Sequence, residues 1–235
     1  MSTTSTASPT IVLVHGAWAD GSSWNAVIPK LLSKGLKVVA VQNPLTSLAE
    51  DVAATKRVID FVEGPVVLVG HSWAGFIVTE AGEDPKVKSL VYVSAFSGET
   101  GQTTGELVGK YPAPPALGGI RDDGNGFVYL SEQAFIDDVA QDLPSETARL
   151  LSVTQGPLAK GTFADALTKT AWRTRPSWFI VSTSDRAVSP ELQRDAAKLM
   201  GSTVTEVPSS HMSLISHADE VIEAITQAAA AASRG

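Results

Sequence analysis

The stretch Pro65–Glu80, PVVLVGHSWAGFIVTE, joins a continuous apolar run to a second apolar segment through Gly70, His71, Ser72, Trp73 and Ala74. Unbroken rather than alternating apolarity marks a strand covered on both faces. A polar pair at the end of such a strand needs a physical reason. An abrupt strand-to-helix turn provides one, because it holds its central residue in a strained conformation and crowds the neighbours. Only small residues then fit at Gly70 and Ala74; the usual pattern has glycine where Ala74 stands, with Gly75 next to it here. This turn lifts the Ser72 hydroxyl to the top of the sheet. It also leaves the Trp73 backbone N–H at the start of the following helix, where the helix dipole favours a developing oxyanion.

Outward from this turn the chain alternates short β-branched runs with helical patterns. TIVLVHG (10–16), LKVVAVQNP (36–44), PVVLVGHS (65–72), VKSLVYVSAF (87–96), PSWFIVSTSD (176–185) and STVTEVPSSH (202–211) read as strands. Between and after them, SSWNAVIPKLLSKG (22–35), SLAEDVAATKRVIDFVEG (47–64), WAGFIVTEAGEDP (73–85), SPELQRDAAKLMG (189–201) and HADEVIEAITQAAA (217–230) read as helices. The class is α/β: three layers, with a mostly parallel sheet of about six strands and helices on both faces. The rhythm breaks at 97–172. There GETGQTTGELVGKYPAPPALGG (98–119) is rich in Gly and Pro, RDDGNGFVY (121–129) reads as a tight turn into a strand, and SEQAFIDDVAQDL, SETARLLSV and FADALTKT read as helical. The expected organisation is a core of 10–96 and 173–228 with 97–172 inserted as a cap over the carboxyl edge of the sheet, after a disordered lead-in at 1–9.

Composition narrows the chemistry. The 235 residues are 43% hydrophobic and 18% charged, carry a net charge of −7 and contain no cysteine. Disulfides, thiolate catalysis and cysteine-bound metals are excluded. The charge and the lack of Lys/Arg clusters argue against a nucleic-acid partner, and no apolar run approaches the length needed to span a bilayer. The small polar N-terminus has no signal-like region, so a cytoplasmic location is the default expectation.

A serine hydroxyl needs a base, and the base needs an orienting carboxylate. Of four histidines, His71 is the sequence neighbour of Ser72 and its side chain diverges from it, His15 shapes the loop after the first strand, and His217 opens the last helix. His211 follows the last strand, where a base can reach Ser72; His217 stands second. Asp185, at the end of the fifth core strand, is the candidate acid, with Glu99 the alternative because it too follows a strand end. The His15–Gly16 pair lets the backbone approach the site, so the Ala17 N–H is the second oxyanion donor beside Trp73. Gly16, Trp18 and Met212 are candidate substrate contacts.

VHGAWADGSSW (14–24), GHSWAG (70–75), STSDRAVSP (182–190) and SSHMSLISHADEV (209–221) together resemble the α/β-hydrolase superfamily, more narrowly its small branch of plant methylesterases, hydroxynitrile lyases and bacterial esterases. The similarity runs from about Thr10 to Ala224 and is weakest in the insertion, although AFIDDVAQDLP (134–144) is similar to a segment common there. The order Ser72, Asp185, His211 matches that superfamily. The resemblance implies a Ser72, His211 and Asp185 triad, an oxyanion hole at Ala17 and Trp73, and neither metal nor organic cofactor. Hydroxynitrile lyases have threonine at the position of Gly16 and lysine at that of Met212, so lyase chemistry is disfavoured. Dehalogenases and epoxide hydrolases use aspartate where Ser72 stands. The plant methylesterases have a histidine near Ala19, so their substrates do not carry over.

The expected function is therefore a carboxylesterase-type serine hydrolase whose partner is a small, largely apolar ester. Lactones, thioesters and carbon–carbon bonds beside a carbonyl are open to the same machinery. A low-turnover small-molecule binding protein and a cofactor-free oxygenase are the alternatives from other classes, and both a monomer and a homodimer are compatible with the sequence.

Overall fold

The computed structural model describes residues 8–234. The lead-in expected at 1–9 therefore lies, apart from Ser8 and Pro9, outside the described residues. Six parallel strands form the central sheet: β1 (Thr10–Val14), β2 (Lys37–Ala40), β3 (Val66–His71), β4 (Val87–Val93), β8 (Ser177–Ser182) and β9 (Thr203–Val207). Their spatial order is β2-β1-β3-β4-β8-β9. Three further strands, β5 (Ile120–Asp122), β6 (Phe127–Leu130) and β7 (Leu158–Ala159), make a separate antiparallel sheet.

Successive strand side chains point to opposite faces, and the two faces carry two cores. Val12, Val14 and Leu68 pack with the helices Leu48–Phe61, Ala74–Ala81 and Pro190–Met200. Ile11, Leu13, Val67, Val69, Val91 and Val93 pack with Ile28–Ser33 and Ala218–Ala232. This double coverage is why β1, β3 and β4 read as unbroken apolar runs. The edge strands β2 and β9 are largely exposed or half-buried.

The local sequence sets most boundaries. Ser47 accepts from the Glu50 N–H to start one helix, Ser189 accepts from the Leu192 N–H to start another, and left-handed Gly201 ends that second helix. Two expected helices differ. The single helix expected at 22–35 is a 3₁₀ turn, Gly21–Trp24, followed by Ile28–Ser33, because Pro29 lacks the N–H that would continue the helix from Asn25. The helix expected at 163–170 stops at Ala164. Beyond it Asp165 accepts from the Leu48 N–H, and the N–H groups of Thr168 and Lys169 go to the Glu80 carboxylate. In the same region FIDDV (135–139) winds as a π-turn, closed by Ala140 N–H to Phe135 O at 3.0 Å.

Between β4 and β8 the chain forms the small sheet, the helix Ser145–Val153 and several short helical turns. It is stitched to the loops at the carboxyl ends of the core strands. Trp18 Nε1 donates to Val128 O at 2.9 Å, Gln141 Nε2 to Ser184 O at 2.8 Å, and the Ser210 N–H to Asp142 Oδ2 at 2.8 Å. Burial alone would raise the Asp142 carboxyl, but the Ser210, Ser216 and Ser209 groups around it prevail and hold it below the usual range.

The turn after β3 is closely packed. A Cβ on Gly70 would meet the Ala74 carbonyl oxygen at 2.7 Å, and one on Gly75 would lie 1.8 Å from Phe96 O. Neither neighbour is a flexible side-chain tip. Gly75→Ala should therefore destabilise the fold by about 3 kcal/mol and lower Tm by roughly 10 °C. Calorimetry against Gly161→Ala, which adds its Cβ in open space, checks this.

Candidate active site

The groups singled out from sequence meet at the carboxyl ends of β1, β3, β8 and β9. Ser72 follows β3 with φ +56°, a left-handed conformation that is costly for a residue with a side chain. Backbone bonds fix it: its N–H donates to Val93 O at 3.1 Å, and its carbonyl accepts from Gly75 and Phe96 N–H at 3.0 and 3.1 Å. Gly16 is the close-approach position opposite. A Cβ there would meet Ser72 Cβ at 2.8 Å and His71 Nδ1 at 3.1 Å. Gly16 does not line the cavity described below, so its part is to bring the β1 loop against Ser72 rather than to touch a ligand.

His211 Nδ1 lies 2.7 Å from Asp185 Oδ2, and both side chains are buried. Three further donors converge on the same carboxylate: the N–H groups of Ala187 and Val188 on Oδ1, at 2.8 and 2.9 Å, and Gln193 Nε2 on Oδ2 at 2.8 Å. A carboxylate accepts only, so Nδ1 carries the imidazole proton and Nε2 is left to accept one. Ser72 and His211 line one cavity, although among the described residues no hydrogen bond joins their side chains. Such bonds are often long before a substrate is bound.

The other histidines have structural partners. His15 Nε2 accepts from the Asn43 N–H and its Nδ1 faces Gly16 O, both at 2.9 Å; burial lowers its pKa below the ordinary value. His71 Nε2 lies 2.9 Å from the backbone carbonyl of His211 and so donates to it. Burial first, and then the neighbouring His211, push His71 well below the ordinary histidine pKa, so its ring is neutral. The packing duty expected of His71 thus includes holding the His211 loop. His217 bonds its neighbour Ser216 at 3.1 Å, and Glu99 pairs with Arg173 at 2.6 Å; neither lines the cavity.

Ala17 and Trp73 both line the cavity, and among the described residues neither backbone N–H donates to a protein acceptor. Trp73 is fully buried, and its Nε1 donates to Asp51 Oδ2 at 2.8 Å. Trp18 and Met212 also face the cavity. Its volume is about 300 Å³, and its walls are mainly apolar, with Phe96, Leu130, Phe135, Phe163 and Val188 among them. No lysine or arginine lines it among the described residues. No three His, Cys, Asp or Glu side chains among these residues converge to hold a metal ion, and no helix is long and apolar enough to cross a membrane.

Gln193, bonded to Asp185, and Asp51, bonded to the Trp73 indole, are not among the residues expected above. The available signal was a polar residue on a buried helical stripe: Gln193 among Leu192, Ala196, Ala197 and Met200, and Asp51 three residues after Leu48 and three before Ala54.

Comparison with known proteins bears on the fold and the family. A 26% identical relative, probable hydrolase R7 of Phoma sp., aligns over 201 residues, 79% of this chain and 81% of its own. A pyrethroid hydrolase from Sphingobium faniae JZ-2 superimposes with a TM-score of 0.83 at 21% identity, covering 97% of this chain and 99% of its own. Polyneuridine aldehyde esterase does so at 0.80 and 22%, covering 93% and 98%. The model of the alpha/beta hydrolase family matches residues 11–224, and the chain belongs to that family.

Proposed function

We propose that the protein is a carboxylesterase-type serine hydrolase, with 97–172 acting as a cap over its substrate. The observation that carries this reading is that left-handed Ser72 and His211, whose Nδ1 is held by Asp185, line one apolar cavity. Ser72 Oγ attacks the ester carbonyl while His211 Nε2 takes its proton. The Ala17 and Trp73 N–H groups receive the oxyanion, and Asp185 steadies the imidazolium. His211 then returns the proton to the departing alkoxide, leaving the acyl group on Ser72. A water molecule deprotonated by His211 attacks that acyl-enzyme, and Ser72 leaves with the proton as the free acid forms. The esterase and hydrolase names among the relatives support ester cleavage over the other bonds this machinery can attack.

The cavity walls bear on the substrate. An apolar lining without lysine or arginine stabilises a neutral ester and leaves a substrate carboxylate unpaired. Across p-nitrophenyl esters, kcat/KM for a neutral acyl chain should exceed that for the matching half-ester of a dicarboxylic acid by at least about tenfold.

Fluorophosphonate labelling tests the nucleophile. Wild type should be labelled and Ser72→Ala should not, with turnover falling about 10⁶-fold. A wild type that is neither labelled nor active on short esters removes the esterase reading. For the acid, Asp185→Asn should lower kcat by about 10⁴. Glu99→Gln, whose partner is Arg173 at the surface, should leave kcat unchanged, and the reverse result would move the acid to Glu99.

A further inference from the structure

Asp51 has no exposed surface, lies on the helix Leu48–Phe61 and plays no part in the chemistry above. Its Oδ2 accepts from Trp73 Nε1 at 2.8 Å and its Oδ1 from the Leu45 N–H at 2.8 Å. We propose that Asp51 is a positioning residue of the hydrolytic site, which through Trp73 holds the nucleophile turn and its oxyanion N–H and through Leu45 ties that turn to the cap. The proposal rests on the esterase reading.

The turn needs such a tether. Ser72 is left-handed and Trp73 next to it is helical, so a small rotation at either residue moves both the Oγ and the Trp73 N–H. The Ser72 backbone bonds hold the turn while leaving the reacting hydroxyl free, and the side chains of its two neighbours add anchors on either side. His71 does so on one side, through the His211 carbonyl, and the Trp73 indole does so on the other, through Asp51. The indole also packs against Phe76 and, edge to face, against Phe163 of the cap, with centroids at 5.8 and 6.1 Å.

The second arm runs outward. Leu45 has φ +58°, and its carbonyl accepts from the Ala159 N–H at 2.9 Å, while Leu48 N–H donates to Asp165 at 2.7 Å. Cap residues 159–165 therefore hang from the same short loop that Asp51 holds, and Phe163 in that span lines the cavity. A movement of the cap is felt at the oxyanion donor through one carboxylate.

Two N–H donors require a group that accepts on both oxygens. A carboxamide turns its NH₂ toward one of them, while a protonated acid keeps one full acceptor and leaves the other weakened and uncharged. Burial is the largest influence on the Asp51 carboxyl; the Trp73 and Leu45 bonds oppose it, and the negative neighbours Glu50 on its own helix and Asp165 of the cap add to it. The outcome is a pKa pushed up to about 6, so the charge that strengthens both bonds is lost within an accessible pH range.

The test compares Asp51→Asn, Trp73→Phe and the double variant with wild type on a neutral p-nitrophenyl ester. Each single variant should lose about tenfold to a hundredfold in kcat, less than removal of an oxyanion donor outright, with KM within about threefold. The double variant should lose less than the product of the two single losses, since both variants weaken the Trp73–Asp51 bond and only Asp51→Asn also reaches the Leu45 arm. The wild-type to Asp51→Asn ratio of kcat should be large above about pH 7 and shrink as the pH falls through about 6, where wild type loses the carboxylate charge that the variant lacks. A merely structural role leaves that ratio flat. An active wild type with unchanged single variants, a loss confined to KM, a flat ratio or multiplicative losses in the double variant each overturn the proposal. An inactive, unlabelled wild type instead overturns the esterase reading, and the proposal with it. If Asp51→Asn fails to fold, Trp73→Phe, which leaves the carboxylate in place, carries the test: its kcat must fall, and the wild-type to Trp73→Phe ratio must shrink over the same interval.

Discussion

Ser72 sits where residues with side chains rarely go, and the carboxyl edge of the sheet is built to keep it there. A left-handed serine costs about 1–3 kcal/mol. It persists because its N–H and carbonyl are both committed, to Val93 on one side and to Gly75 and Phe96 on the other. Those partners exist only if β4 lies beside β3 and the loop after β4 crosses directly over the first turn of the following helix. The contact between Gly75 and Phe96 is the consequence. The strand order is thus a requirement of the turn as well as of the core.

The histidines show how one side chain serves three ends according to what its second nitrogen meets. His15 faces an N–H donor, so Nε2 is its bare nitrogen and the ring acts as a strut between β1 and Asn43. His71 faces a carbonyl, so it carries its proton on Nε2 and clasps the His211 loop. His211 faces a carboxylate through Nδ1, which directs its basic nitrogen away from the pair. Burial keeps the first two rings neutral, so under the proposed mechanism no second cation would compete with an imidazolium at His211.

Much of this was legible in the sequence because it follows from steric necessity and periodicity. The small residues around Ser72 announced the turn, the unbroken apolar runs announced a doubly covered sheet, and the strand-end positions of Asp185 and His211 announced loops on the same edge. Pro29 was equally visible, and its break in the helix at 22–35 follows from a missing N–H. What escaped were distances between segments remote in the chain. Nothing local says that Gln193 folds under Asp185, or that His71 reaches a carbonyl 140 residues away. Asp51 gave only a weak sign, a charge on an apolar stripe, and its meaning needed the Trp73 indole opposite. The irregular course of 160–170 escaped because side chains of Glu80 and Asp165, rather than local propensity, decide where its N–H groups go.

The inserted segment has the opposite character from the core it covers. Its walls are side chains without charge, which discriminate weakly among apolar ligands of similar size. Its attachments, however, are specific hydrogen bonds at the residues preceding Asp185 and His211: Gln141 on the Ser184 carbonyl and Asp142 on the Ser210 N–H. Under the proposed reading, a substrate that shifted the apolar wall would pull on those bonds and so on Asp185 and His211. Under that reading, specificity would arise less from attraction to one ligand than from which ligands leave the wall where Asp185 and His211 need it.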